Sequence, residues 1–395
     1  LTVVAVAELE ADPYPVYARL RRTEPVSWVP EVRQWLVTGW DDVHRVLTDG
    51  ERFTTEQPGS PMLGLCGGTP LLMREGESHR DVRAAVEPGF EAERIGGFVD
   101  AVARPVACRV AAELRPAGRA DVAADYFEPV AAIAVSALLG LGRDTGAETL
   151  RRWGNLLTGV ANDFGRDPAV AAAAAADLAA DSALTTVVRR LRAEPDGSVI
   201  SALLHAHRPR GDSRPDADVG PVVKHLALSA VEPGWLAGWT LAALWSAPAQ
   251  LAAVRADRAL LGAAVSEALR WSGPVGVLGR RTRCATRLAG RELPADTMIA
   301  AAIASANRDE AVFTEPDRFD LRREARVHLG FGAGPHHCPA YLLVTALART
   351  ALEVLFETLP GVRPAPGHRA APHGWKLRLP GPLEAVWEVR PASVP

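Results

Sequence analysis

The sequence predicts a mainly α protein with small β-sheets, and three observations predict it. Residues from about 95 to 205 are rich in Ala, Leu, Val and Arg, with apolar positions recurring at helical spacing. Residues 341–356 form an apolar-rich run without Gly or Pro, the pattern of a long buried helix. Alternating, strand-like stretches are few, short and set between Gly and Pro. At 395 residues and 48% hydrophobic, the chain can bury a large core, as one big domain or two ordinary ones.

In chain order, Asp12-Pro13 is a helix start signal, followed by amphipathic residues to Arg22. Segments 26–29 and 34–38 read as a hairpin, and 41–47 opens another helix. The part up to about residue 60 is expected to be the β-rich one. Residues 60–70 carry enough Gly and Pro to predict a loop long enough to act as a cover. A helical part should then run from about 70 to 270. In it, His79 and Arg83 lie four apart and share a helix face, which taken alone reads as a solvated basic face. Breaks are expected at 140–145 and 162–168, a plain polyalanine helix at 169–176, and an exposed linker at 205–221.

The segment 221–245 has strong helical periodicity, yet Glu232-Pro233-Gly234 sits in its middle. An interior proline loses a hydrogen bond and clashes with the preceding turn, about 3 kcal/mol, so a kinked helix is expected. Further on, Glu267 and Arg270 share a helix face; by itself this is a common surface ion pair. Residues 274–279 lead into a strand, 288–298 give a hairpin, and 373–389 suggest a C-terminal hairpin whose tip reaches a cavity.

Composition narrows the function. A net charge of −3 leaves no basic footprint for nucleic acid. Cys66, Cys108, Cys284 and Cys338 lack metal-type spacing, which suits a reducing compartment and argues against a disulfide framework. The opening apolar run is too short for a signal peptide and lacks a basic start. The nearest approach to a membrane span, residues 222–245, is interrupted by Lys224, His225, Glu232 and Pro233. A soluble, cytoplasmic protein with no membrane partner is expected.

The most informative stretch is His328-Leu-Gly-Phe-Gly-Ala-Gly-Pro-His-His-Cys-Pro-Ala340. Glycines let a backbone approach a flat ligand, and prolines stiffen the loop. A cysteine just before a helix is held near unpaired N–H groups that favour a thiolate. Without context such a cysteine is most often a small core residue. Here the string Phe331-Gly-x-Gly-x-His-x-Cys338 resembles the haem-binding loop of the cytochrome P-450 family, and the likeness runs from Asp12 to Glu388.

The resemblance implies a single domain over 1–395 with the cytochrome P-450 fold, haem b lying between a long kinked distal helix and the loop 328–340. Cys338 would be the iron ligand, Phe331 would cover its sulfur, and His336, His79, Arg83 and Arg280 would meet the haem propionates, with Arg281 open to a one-residue slip. Thiolate ligation favours O–O cleavage. Ala340 stands where the family usually has Gly. Glu267, Arg270 and Arg318 resemble the family's Glu-Arg-Arg brace behind the loop. Pro233 and Gly234 occupy the places of the usual proton-relaying acid and threonine, leaving Glu232 as a substitute relay through water or as structure. Thr240, nearly two turns on, should pack.

With no flavin or iron–sulfur segment, the resemblance implies dioxygen as co-substrate and electrons from a separate ferredoxin/reductase-type donor. The implied reaction inserts one oxygen atom into a small organic, aromatic substrate. Asp12-Pro-Tyr, Glu232-Pro-Gly234, Gly374-Trp and Pro380-Gly-Pro look like the aromatic O-demethylase branch that acts on guaiacol-type methoxyarenes. That branch clamps its ring with phenylalanines, whereas this chain offers aliphatics around Leu157 and Leu377 or Leu379. Two alternatives stay open: a peroxide-using haem-thiolate enzyme, and a haem-binding sensor or carrier without turnover.

Overall fold

Asp12 does what its place before a proline predicts. In the computed structural model, which describes residues 3–142, 145–206, 214–324 and 327–389, its carboxylate accepts the Tyr14 N–H at 3.2 Å and caps a helix. The chain opens with α1 (Val6–Ala11), α2 (Pro13–Thr23), the hairpin of β1 (Val26–Val29) and β2 (Gln34–Val37), then α3 (Trp40–Thr48) and β3 (Phe53–Thr54). Helical residues outnumber strand residues here, so this part is mixed rather than β-rich.

The expected cover loop contains a short helix, α4 (Pro61–Cys66), started by its proline. It is followed by α5 (Gly76–Val86), α6 (Ala92–Phe98), α7 (Arg104–Leu114), β4 (Arg119–Asp121) and α8 (Glu128–Leu139). Next come α9 (Ala147–Asp163), the alanine-rich α10 (Pro168–Ala180), α11 (Ala183–Ala193) and α12 (Val199–His205). Of the linker expected at 205–221, residues 207–213 lie outside the described residues, as do 143–144 of the break at 140–145. The linker's end is no loop: α13 (Asp216–Leu228) begins there, with Pro221 inside it.

Residues 229–231 then separate α13 from α14 (Glu232–Ser246), so the expected kink is a complete break. Pro233 sits in the first turn of α14, where a missing N–H costs little. Beyond lie α15 (Pro248–Ala256), α16 (Leu261–Ser272), β5 (Leu278–Thr282), β6 (Thr286–Leu288), β7 (Arg291–Leu293), β8 (Met298–Ala301), α17 (Ile303–Ala306), α18 (Tyr341–Thr358), β9 (Arg363–Pro364) and β10 (Glu384–Val386).

The N-terminal hairpin joins a five-stranded sheet in the order β1-β2-β8-β5-β3, while β6 and β7 pair alone. The expected C-terminal hairpin does not form. His373 and Leu379 make one isolated bridge, and β10 instead pairs with β4 and β9. Pro380 and Pro382 have no N–H to donate, which stops a longer ladder.

One apolar cluster gathers around Trp153 between α8, α9, α12 and α13, and a second joins α7, α14, α16 and α18. The centre of the molecule is α14, packed against α18, α16 and α8. Among the described residues no single helix is long and apolar enough to cross a membrane; by length and composition only the pair α10–α11, bent by 47°, would qualify together.

Candidate active site at the cysteine loop

The loop before α18 is pinned by its own backbone. Cys338 N–H donates to Phe331 C=O at 3.0 Å, Gly332 N–H to Leu329 C=O at 2.8 Å, and His337 N–H to Gly334 C=O at 3.0 Å. Gly334 has φ +71°, and a Cβ there would lie 2.8 Å from the Leu47 carbonyl oxygen, so no other residue fits without moving α3. The Asn307 side chain holds the loop's start, its Oδ1 accepting Leu329 N–H at 2.7 Å. The Phe331 ring stands edge-on to His337 and Tyr341, 6.3 and 6.2 Å between centroids. Ala340, with φ −91° and ψ 15°, has a backbone open to any L-residue, so the departure from glycine carries no strain.

The Cys338 sulfur accepts the Ala340 N–H, but burial pushes its thiol up to about 12, with the Glu232 carboxylate pushing the same way. With no cation on the sulfur, desolvation outweighs the one N–H contact that favours a thiolate. A cation on the sulfur would reverse that balance. Among the described residues no group of three or more His, Cys, Asp or Glu could hold a metal, so Cys338 offers a single ligand.

Behind the loop, Glu267 and Arg270 are buried rather than on the surface, paired at 2.8 Å. Arg270 Nη1 also donates to the Asn307 and Pro316 carbonyls, at 2.8 and 2.9 Å. The third arm of this brace is Arg323, whose Nε reaches Glu267 Oε1 at 2.9 Å. Arg318 does not supply it: its side chain is 60% exposed and faces Glu315 and Asp320, and only its carbonyl enters the network. Arg318 and Arg323 are residues of one type five apart, so spacing could not choose between them.

Beside the loop is a cluster of cationic and imidazole groups. His79 and Arg83 both lie on α5, as expected. The His79 and His336 rings overlap at 4.1 Å between centroids, tilted by 37°. Burial holds His79 below its ordinary value and pushes His336 down to about 4, so both are neutral at pH 7. Arg280 is buried and, among the described residues, its side chain donates only to the Gly279 carbonyl, at 2.9 Å. Burial pushes it down to about 10, opposed by the charge of Glu75. Arg281 turns outward to Asp296 and the Glu56 carbonyl, so Arg280 is the buried member of the adjacent pair. Arg83 already pairs with Glu87 at 2.5 Å and donates to the His337 carbonyl at 2.7 Å, tying α5 to the loop. Sequence reasoning missed Glu75, which accepts from Thr54, Thr55 and Thr55 N–H and stands 3.8 Å from His336. No motif marks it.

Glu232 begins α14 and is partly buried; burial pushes its carboxyl up to about 7, against a hydrogen bond from Ser229. Gly234 faces elsewhere. A Cβ on it would lie 2.6 Å from the Phe127 carbonyl oxygen, so this glycine serves close packing of α14 on the chain entering α8 and is not itself placed to act in catalysis. Thr240 is fully buried and its hydroxyl donates to the Leu236 carbonyl at 2.8 Å, which makes it a packing residue. Leu157 and Leu377 lie in one apolar cluster with Val231, and Leu379 packs against it.

A family model for cytochrome P-450 matches residues 252–358. The chain is 32% identical over 363 residues to the cytochrome P-450 monooxygenase PikC of Streptomyces venezuelae, covering 89% of this chain and 85% of that one. It is 30% identical over 386 residues to the mycinamicin IV hydroxylase/epoxidase of Micromonospora griseorubida, covering 94% of each. The chain belongs to the cytochrome P-450 family. The fold agrees: the crystal structure of CYP109E1 from Bacillus megaterium with testosterone superposes with a TM-score of 0.86 at 22% identity, covering 97% of this chain and 100% of that one. This cytochrome P-450 is a haem-thiolate monooxygenase, with haem as cofactor and electrons drawn from a separate redox partner. The residues fit that cofactor. The half-buried Cys338 thiol would supply one bond to the iron, and buried Arg280 makes no ion pair among the described residues, as a site for a ligand carboxylate requires.

Proposed function

We propose that this cytochrome P-450 inserts one oxygen atom from dioxygen into a small organic molecule, by hydroxylation or by O-demethylation of an aromatic ether. The observation that supports the site assignment is the buried Arg280 beside the Cys338 loop, which makes no ion pair among the described residues and has only the charge of Glu75 acting on it. Cys338 would hold the iron, with Phe331 beside it in the loop. Arg280, His79 and His336 would receive the propionates, with Arg83 completing their cationic side. Bound there, the haem supplies the oxygen chemistry, and thiolate ligation favours O–O cleavage.

The chain's own contribution is proton handling and exclusion of water. Glu232, poised at about 7 and close enough for its charge to act on Cys338, can hold a proton at its carboxyl oxygen and release it near neutral pH. Leu157 and Leu377 lie in one apolar cluster with Leu379 packed against it, and aliphatic groups of that kind would hold a substrate by shape. The electron donor is a ferredoxin/reductase-type protein. A cavity of about 630 Å³ between α6 and α18 carries Arg104 and Arg349 beside Asp100 and Glu353, and both arginines pair with Glu353, so it is balanced in charge and does not by itself select an acidic donor. The free state of all four cysteines supports a cytoplasmic setting.

The test is a screen of methoxyarenes and other small arenes for a low- to high-spin shift of the ferric enzyme, followed by product analysis with a ferredoxin and reductase. Formaldehyde release would mark O-demethylation, and a hydroxylated product the broader reading. A peroxide-using enzyme is the second reading, favoured by Pro233 and Gly234, which put no hydroxyl after Glu232. Turnover with hydrogen peroxide but none with redox partners would decide for it.

A further inference from the structure

His225, on the last turn of α13, has an imidazole without a partner. Among the described residues its Nδ1 is fully covered and makes no hydrogen bond. Nε2 makes none either, yet it is not covered, and the residue keeps accessible surface. Burial alone pushes the imidazolium down to about 4, so the ring is neutral at pH 7. A group so desolvated that still shows surface lines a space inside the molecule rather than its outside.

That space is the one Glu232 faces. His225 and Ser229 are one helical turn apart, with Ser229 N–H donating to the His225 carbonyl at 3.2 Å, so their side chains share a face. Ser229 carries that face across the gap before α14, because its hydroxyl bonds the Glu232 carboxylate. Glu232 is likewise desolvated with surface remaining, and its charge reaches the half-buried Cys338. The neighbouring faces of this segment are occupied. Pro221 and Lys224 lie against Gly68 and Gly67 after α4, and Leu228 and Val231 lie against Gly154 of α9.

A neutral imidazole has one N–H and one lone pair. Under cover a bare N–H is costlier than a bare lone pair, so the proton belongs on Nε2, the atom open to the space. We propose that His225 binds the substrate, its Nε2–H donating to a neutral oxygen acceptor such as a carbonyl. This rests on the monooxygenase reading of the same site and names the substrate's chemical class. One such bond, with apolar contacts around it, would orient the molecule in the space.

Calorimetric titration of the haem-loaded enzyme tests it, with pairs that differ by one carbonyl. 4-Methoxyacetophenone is set beside 4-ethylanisole, 1-indanone beside indane, and 4-phenyl-2-butanone beside butylbenzene. For at least one pair, the ratio of ketone to hydrocarbon affinity should fall about fivefold in His225→Leu. It should stay within about twofold of the wild type in His225→Gln, which keeps an N–H. His225→Leu should leave Tm unchanged or higher, since it removes a polar group that nothing satisfies. A wild type that binds no ketone, a ratio unmoved in His225→Leu, or a ratio lost equally in His225→Gln overturns the proposal. So does a lower Tm with both members of every pair weakened alike, the mark of a purely structural histidine. The carbon-monoxide band of the reduced wild type reports on Cys338 separately. An intact band with no change of ratio sinks the His225 assignment alone; an absent band sinks the reading beneath it.

Discussion

The two sides of the site are built on opposite terms. On the proximal side, residues 329–338 are held by backbone bonds, by Asn307 and by the buried Glu267–Arg270–Arg323 brace, so almost every polar group is committed. On the distal side, α13 and α14 are parted by residues 229–231, and the first residues of α14 after Glu232 carry no proton-bearing side chain. One side is specified by what its residues hold, the other by what they omit. Ligation needs a sulfur fixed in position. The face where substrate and oxygen would meet needs room and one exchangeable proton.

The largest expected effect lies on the proximal side. Cys338→Ala should abolish the red-shifted carbon-monoxide band of the reduced protein and all turnover; an unchanged band would break the comparison at its root. Next comes the brace. Arg323→Ala leaves the Glu267 carboxylate short of a buried partner, and should lower unfolding free energy by about 3 kcal/mol in urea titration. Arg318→Ala, at an exposed side chain, should stay within about 0.5 kcal/mol. The reverse order would restore Arg318 as the third arm.

On the distal side, Glu232→Gln should slow dioxygen-driven turnover about a hundredfold while changing peroxide-driven turnover little. Equal effects on both would reduce Glu232 to structure. Its carboxyl is raised in the fold, from 4.5 to about 7, because burial disfavours the charge. The unfolded chain therefore releases this proton first, and its contribution to stability is full below about 4.5 and lost as pH rises to about 7. Glu232→Gln should gain stability over the wild type across that window and no more above it, measured as the difference in Tm against pH. Gly234→Ala, which sets a methyl against the Phe127 carbonyl, should cost about 1–3 kcal/mol in unfolding free energy through a shift of α14.

Legibility divides along the same line. The cysteine loop, the helix after it, α5 with His79 and Arg83, and the α2 start at Asp12 each carry a local signal: glycines at fixed places, an i,i+4 pair, or a capping acid before proline. What stayed illegible depends on distant partners. Arg323 rather than Arg318 reaches Glu267 because of how residues 314–324 fold back, and Glu75 is recruited by Thr54 and Thr55. The three-residue gap before α14 was hidden because apolar periodicity continues through Ser229, Ala230 and Val231. The C-terminal strand chose partners in β4 and β9, which no alternation pattern can name.

Two of the four thiols, Cys108 on α7 and Cys284 after β5, are exposed and unpaired. Stored in air without reductant, separate molecules can become covalently linked through them, and such a band on a non-reducing gel would mimic a native dimer. Replacing both with serine removes that artefact and leaves only the buried Cys66 and the half-buried Cys338 as thiols.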